Sequence, residues 1–174
     1  PLPKTPQRFS DIIWGDDNLA VLSEEWYDTR NTKTFLINPS NPSQQPKLIT
    51  DRNSQDVYSD PGVFETRKNA YNKYVLAIEK NNLYRIGEGY TKDGQFPFVD
   101  EFNLETLKSK RIYTSPYKDK KEDILEIEDF KSGKILVQIQ SKTEYPNYYF
   151  RNIKKQNSLT QVTDFKNPFE SIKN

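Results

Sequence analysis

Three times the chain closes a stretch of alternating residues with a short apolar strand that ends in threonine: residues 47–50 (KLIT), 111–114 (RIYT) and 159–163 (LTQVT). From Thr50 to Thr114 is 64 residues, and from Thr114 to Thr163 is 49. Self-similarity at such a period marks an array of supersecondary units that stack to share a core. Units of ~40–50 residues fit the four-stranded blade of a β-propeller, the first interval being lengthened by an inserted loop. Strand-like runs bounded by turn residues fill each unit. The first holds residues 9–14, 19–23, 34–37 and 47–50. The second holds 63–66, 73–78, 97–102 and 110–114, with 81–96 as the insertion. The third holds 123–127, 134–140, 147–152 and 159–162. The expected organisation is an extended lead-in over 1–8, a partial β-propeller over 9–163 with blades at about 9–50, 63–114 and 121–163, and a connector over 164–174.

Composition agrees with an all-β fold of about three four-stranded antiparallel blades. Aromatic residues, which favour strands, make up 13% of the chain, whereas alanine occurs only at Ala20, Ala70 and Ala77. Short helical turns are expected only near Thr106 or Asn167. The second strand of each unit (19–22, 75–78, 135–139) is the most apolar and is expected to be buried between neighbouring blades. Packing between blades is the expected role of Trp14 and Trp26, with ligand stacking as the alternative.

Several function classes are excluded or disfavoured by the residues themselves. Lys+Arg of 26 against Asp+Glu of 25 provides no net field to draw the chain onto nucleic acid or an anionic membrane. Residues 118–123 (KDKKED) mix both signs and read as a solvated loop. No apolar run approaches the ~20 residues of a membrane span, so a soluble chain is expected. With no His and no Cys, the chain contains no Ser-His-Asp triad, no Cys-His dyad and no zinc site of the usual kind, and no cofactor or metal is expected. The adjacent carboxylates Asp16–Asp17, Glu24–Glu25 and Asp100–Glu101 point to opposite faces of a strand, which disfavours the paired-carboxylate chemistry of a glycosidase. Gly87 and Gly89 lack the strand-turn-helix setting of a phosphate loop and read as turn residues. Asp51, Asn53, Asp56 and Asp60 read as turn and capping residues.

The stretch 50–62 (TDRNSQDVYSDPG) is the most distinctive string in the chain, with Asp51, Arg52, Asp56, Val57, Tyr58, Asp60, Pro61 and Gly62 at its fixed positions. It resembles the Asp-Arg-Ser-x-x-Asp-Val-Tyr-x-Asp-Pro-Gly phrase in the propeller of the glutamyl endopeptidase branch of the prolyl oligopeptidase family of serine peptidases. Residues 23–34 (SEEWYDTRNTKT), with Trp26 and Tyr27, are similar to that branch's Trp-Tyr-x-Thr-Arg-x-Thr-x-Thr phrase. Residues 94–100 (GQFPFVD), ending on Asp100, and 110–112 (KRI) resemble its Gly-x-x-Pro-Phe-Leu-Asp and Arg-Ile pattern. The order of the phrases is also that of the family, and residues 162–169 look like its connector from propeller to α/β-hydrolase domain.

The resemblance implies a non-catalytic propeller piece of a larger peptidase, with the Ser-Asp-His triad in an α/β-hydrolase domain outside these residues. That domain and a peptide substrate are the implied partners, and the propeller would pack on the domain and control access to it. Glutamate preference in some family members requires a cation near the substrate carboxylate, for which Arg30, Arg52 and Arg67 are the candidates. Incomplete closure would leave open blade edges, through which self-association is expected. The parent protein is expected in the periplasm or secreted, with the cytoplasm left open. A stand-alone β-rich module that binds peptide or carbohydrate is the competing reading.

Overall fold

The computed structural model describes residues 3–155 and 158–169. Three four-stranded sheets dominate the topology. The first is formed by β1 (Arg8–Asp16), β2 (Leu19–Trp26), β3 (Asn31–Ile37) and β4 (Lys47–Asn53), hydrogen-bonded in chain order and antiparallel throughout. The third is formed in the same manner by β13 (Lys121–Asp129), β14 (Lys134–Gln140), β15 (Asn147–Asn152) and β16 (Leu159–Gln161). These strands lie close to the sequence expectation because their apolar residues stand out, as a continuous run in β2 and with alternating burial in β14, where Ile135, Val137 and Ile139 are buried.

The middle sheet departs from expectation. It has the order β12–β11–β8–β5, from β5 (Val63–Phe64), β8 (Asn82–Gly87), β11 (Phe98–Asn103) and β12 (Ser109–Thr114). The apolar run 73–78 is therefore not its second strand. Instead β7 (Tyr74–Leu76) pairs with β6 (Thr66–Lys68) in a separate hairpin, whose turn is closed by Asn69 Oδ1 accepting the Tyr71 and Lys73 amides. The sheet strand comes from the expected insertion, and the rest of that insertion makes a small hairpin of β9 (Tyr90–Thr91) and β10 (Gly94–Gln95). The cause is local. β8 buries Arg85 and Gly87 beside Leu83 and Tyr84, so it carries little of the apolar signal that singles out 73–78. Gly87 is no turn residue, because a Cβ there would lie 2.2 Å from the Phe98 ring. The only helical turn among the described residues is a 3-10 turn at Val57–Ser59, not at Thr106 or Asn167.

The chain divides into two compact units. One contains residues up to Tyr84 together with Phe102–Ser109; the other contains Arg85–Glu101 and the chain from Lys110 onward. In the first unit β2 and β3 have apolar residues on both faces. Val21 and Leu36 join Phe64, Leu76, Leu83 and Phe102 in one core, while Ala20, Leu22 and Ile37 form a second. The period of two thus serves two cores, as in a sheet covered on both sides. Phe64 and Phe102 meet edge to face at 5.8 Å.

In the second unit the run 118–123 is not wholly a solvated loop. Glu122 begins the inward face of β13 two residues before Ile124, and it is fully buried. Beyond β16 the chain is fastened by Asn147. Its Oδ1 accepts the Thr163 hydroxyl and the Phe165 amide, and its Nδ2 donates to the Phe165 carbonyl. Of the expected lead-in and connector, residues 1–2 and 170–174 lie outside the described residues.

Candidate functional site

Two of the distinctive sequence phrases meet at one end of the first sheet. The turn from β2 to β3 brings Trp26, Tyr27 and Arg30 beside the loop that leaves β4, because the Ser54 amide donates to the Arg30 carbonyl at 2.7 Å. Asn31 links the same segments, its Nδ2 donating to Asp51 Oδ1 at 2.7 Å, and Lys33 pairs with Asp51 at 3.6 Å. Arg30 has a φ of 56°, the left-handed region, and its guanidinium lies over the Tyr27 ring at 3.7 Å.

The end of β4 from Asp51 and the loop that follows it to Gly62 are tied from within. The Arg52 guanidinium donates to the Asp56 carbonyl at 2.6 Å and pairs with Asp60 at 3.6 Å. Asp56 caps the 3-10 turn by accepting the Tyr58 amide. Its carboxyl is held below the ordinary range, first by the Ser59 hydroxyl and then by the Tyr58 amide, against an opposing desolvation. Asp60 accepts the Gly62 amide at 2.9 Å, and Gly62 has a φ of 82°, at which any side chain is strained. Pro61 lies between them. Val57 and Tyr58 remain exposed on this loop.

Of the candidate arginines, Arg30 and Arg52 therefore share one end of a sheet, whereas Arg67 sits on β6, donating to the Ile78 carbonyl and pairing with Glu79 at 3.8 Å. Asp100 belongs to the second unit. It is buried and bridged by Arg111, whose guanidinium also lies 3.4 Å from the centre of the Phe98 ring. Contrary to the packing expected of them, Trp14 and Trp26 are both exposed, at 44% and 42%. Trp26 and Tyr27 join Arg8 and Asp28 around a cleft of about 190 Å³.

Sequence reading missed a buried ionic network in the second unit. Glu122 accepts from Tyr113 Oη at 2.6 Å and from Arg151 Nε at 2.8 Å, and Arg151 also donates to Tyr117 Oη at 2.8 Å. Burial, then the Glu122 carboxylate, pushes the Tyr113 phenol far above its ordinary value. The signal was present in the spacing of Glu122 and Ile124, which share a strand face. In the first unit Glu24 is fully buried as well. Its Oε2 accepts the Gln7 amide, while Glu24 Oε1 and Gln7 Oε1 are buried without donors. No group of three or more acidic, His or Cys residues among the described residues could hold a metal, and no helix among them is long and apolar enough to cross a membrane.

A protein of Oryza sativa subsp. japonica described as a probable glutamyl endopeptidase, chloroplastic, is 35% identical over 184 residues, covering 98% of this chain. The chain is similar to one part of a glutamyl endopeptidase. A second such peptidase, from Arabidopsis thaliana, is 35% identical over 188 residues, again across 98% of the chain. The chain spans 20% and 19% of the lengths of these two glutamyl endopeptidases. Among solved structures, TolB from Acinetobacter baumannii aligns over 91% of this chain and 33% of its own, with a TM-score of 0.45 and 12% identity. No family profile matches.

Proposed function

We propose that the chain is the non-catalytic β-propeller portion of a serine peptidase of the prolyl oligopeptidase family, packing on an α/β-hydrolase domain and controlling which peptides reach it. The observation that carries this reading is the 35% identity to probable glutamyl endopeptidases along 98% of the chain. Four-stranded antiparallel sheets repeated along the chain support blades, about three in number over 9–50, 63–114 and 121–163. The absence of His and Cys leaves this stretch without a Ser-His or Cys-His pair, which supports the reading that the catalytic triad lies outside it.

Recognition of a substrate carboxylate by Arg30, Arg52 or Arg67 belongs to the same proposal. Each would have to give up a present partner: the Tyr27 ring for Arg30, the Asp60 pair and Asp56 carbonyl for Arg52, Glu79 and the Ile78 carbonyl for Arg67. Arg52 is the costliest to divert, because its contacts hold the loop that positions it.

The test is a comparison of the full-length gene product with a version lacking these residues. The reading expects a Gly-x-Ser-x-Gly elbow with later Asp and His in the full frame, no peptidase activity in this chain alone, and looser size selection by the shortened protein. A full-length frame without such an elbow, or unchanged size selection after the deletion, overturns it. The competing reading, a stand-alone binding module, draws on the exposed aromatic cleft of Trp26 and Tyr27.

A further inference from the structure

Among the described residues, Glu24 and Glu122 are the most deeply buried carboxylates, with at most 1% of either residue exposed. Glu122 is neutralised from within the chain by Arg151, whereas Glu24 has no ion pair among the described residues. Lys33 stands opposite Glu24 in the β2–β3 ladder, but its ammonium goes to Asp51. The Glu24 carboxylate accepts the Gln7 amide on Oε2 at 3.1 Å, and its Oε1 is buried with no donor. The Gln7 carboxamide cannot turn over to supply one. Asp51 and the Arg52 carbonyl only accept, so Asn31 presents Nδ2 to them; Asn31 Oδ1 therefore accepts Gln7 Nε2, at 2.7 Å, and Gln7 Oε1 is left buried without a donor of its own. Asn31 pairs with Trp26, which shares a strand face with Glu24, so Gln7 spans two residues on one face of the first sheet.

We propose that Glu24 Oε1 and Gln7 Oε1 are ligands of a small monovalent cation, sodium or potassium, which fixes the lead-in to the first sheet. Buried charges are stable when they are paired or coordinate a cation. A buried water would satisfy a lone pair without neutralising the carboxylate. The atoms on offer are oxygens, the donors that hard cations take. One carboxylate balances one positive charge, and no group of three or more acidic, His or Cys residues is present among the described residues to hold a multivalent ion. Gln7 belongs to the lead-in and Glu24 to β2, so a single ion ties segments 17 residues apart. Thr5 and Pro6, just before Gln7, line a gap of about 30 Å³ together with Leu22 and Phe35 of the same sheet. The cation thereby holds the lead-in over an apolar part of that sheet. The inference does not depend on the peptidase reading.

The test is thermal unfolding and amide hydrogen exchange of the whole chain in sodium, potassium, calcium or tetramethylammonium chloride at one ionic strength, the last cation being too bulky for a buried site. Sodium or potassium should raise the unfolding temperature above its value in tetramethylammonium and should do so with one-site saturation: at ten times the dissociation constant the folded-to-unfolded ratio rises about elevenfold. The Gln7 amide should exchange more slowly in the same salts. Glu24→Gln, which keeps an acceptor for the Gln7 amide, should lose the difference between salts, and Gln7→Leu, which keeps the amide itself, should lose most of it. No difference between salts in the native chain, a difference undiminished in Glu24→Gln, or stronger stabilisation by calcium than by sodium and potassium overturns the proposal. The comparison of salts on the native chain needs no substitution, so a variant that fails to fold cannot mask the answer.

Discussion

Glu122 has two donors, and both are side chains distant in sequence, Tyr113 and Arg151. A buried carboxylate deprived of either is left partly unsatisfied, and that penalty exceeds the net value of the hydrogen bond. Tyr113→Phe should cost about 1–3 kcal/mol of stability by denaturant unfolding, and Arg151→Ala more, about 3–5 kcal/mol, because it strands a buried charge. The direction with pH follows from the raised phenol. Stability supplied by protonated Tyr113 is full below the ordinary tyrosine value of ~10 and declines as pH rises above it toward the higher folded value. Alkaline unfolding curves of the native chain should therefore fall more steeply than those of Tyr113→Phe, with tyrosinate absorbance from Tyr113 emerging only on unfolding. Coincident curves would show that Tyr113 ionises freely in the folded chain. Glu24 presents the opposite case, with one oxygen buried and no donor for it. Glu24→Gln removes a buried charge while keeping an acceptor for the Gln7 amide, so thermal unfolding in tetramethylammonium chloride should show equal or higher stability, by up to about 1 kcal/mol.

At the scale of elements, strands rich in apolar residues were legible from sequence and strands that hide polar residues were not. The sheets containing β2 and β14 follow directly from Leu19–Leu22, apolar on both faces, and from Ile135, Val137 and Ile139, buried at alternate positions. Asn82–Gly87 escaped because Arg85 and Gly87 occupy buried places, and the more apolar Tyr74–Leu76 was drawn into a small hairpin by the turn chemistry of Asn69. The site was legible to the same partial degree. Trp26, Tyr27 and the 51–62 loop stood out as phrases, but Arg8 had no neighbouring signal because its relation to Asp28 arises only when β1 lies along β2. Gly87→Ala offers a direct check on the reassigned strand. The added methyl drives into the Phe98 ring and should cost about 1–3 kcal/mol as overpacking, whereas a residue in an open loop would tolerate it. The β13–β14 hairpin provides another. Asp129 accepts the Ser132 hydroxyl and the Lys131 amide, which hold its carboxyl below the ordinary range. Its contribution is present above the unfolded carboxylate value of ~3.9 and is lost as pH falls through the lower folded value. The Asp129 carboxyl should therefore titrate below an ordinary aspartate by NMR, and Ser132→Ala should move it back upward.

For the molecule as a whole, sheet edges are the feature that reaches outward. β4 ends the first sheet and β16 ends the third, and the three residues of β16 are all exposed. Unpaired edges invite strand addition, and self-association through them is expected from the sequence analysis. Sedimentation velocity over a wide concentration range should reveal dimers or larger species, and a proline at Thr160, opposite Phe150 on β15, should reduce them if β16 is the contact. A single monomeric species at all concentrations would remove that expectation.

The fastening of the chain past β16 has a mechanical meaning. Asn147 and the Tyr148 backbone hold residues 162–165 onto β15, an interior strand, and the Phe165 ring meets Tyr148 edge to face at 6.4 Å. A pull on the chain beyond Phe165 is therefore borne by the middle of the third sheet before it can peel the short edge strand. Displacement of the chain just past Phe165 is thus felt first as tension on β15, inside the sheet.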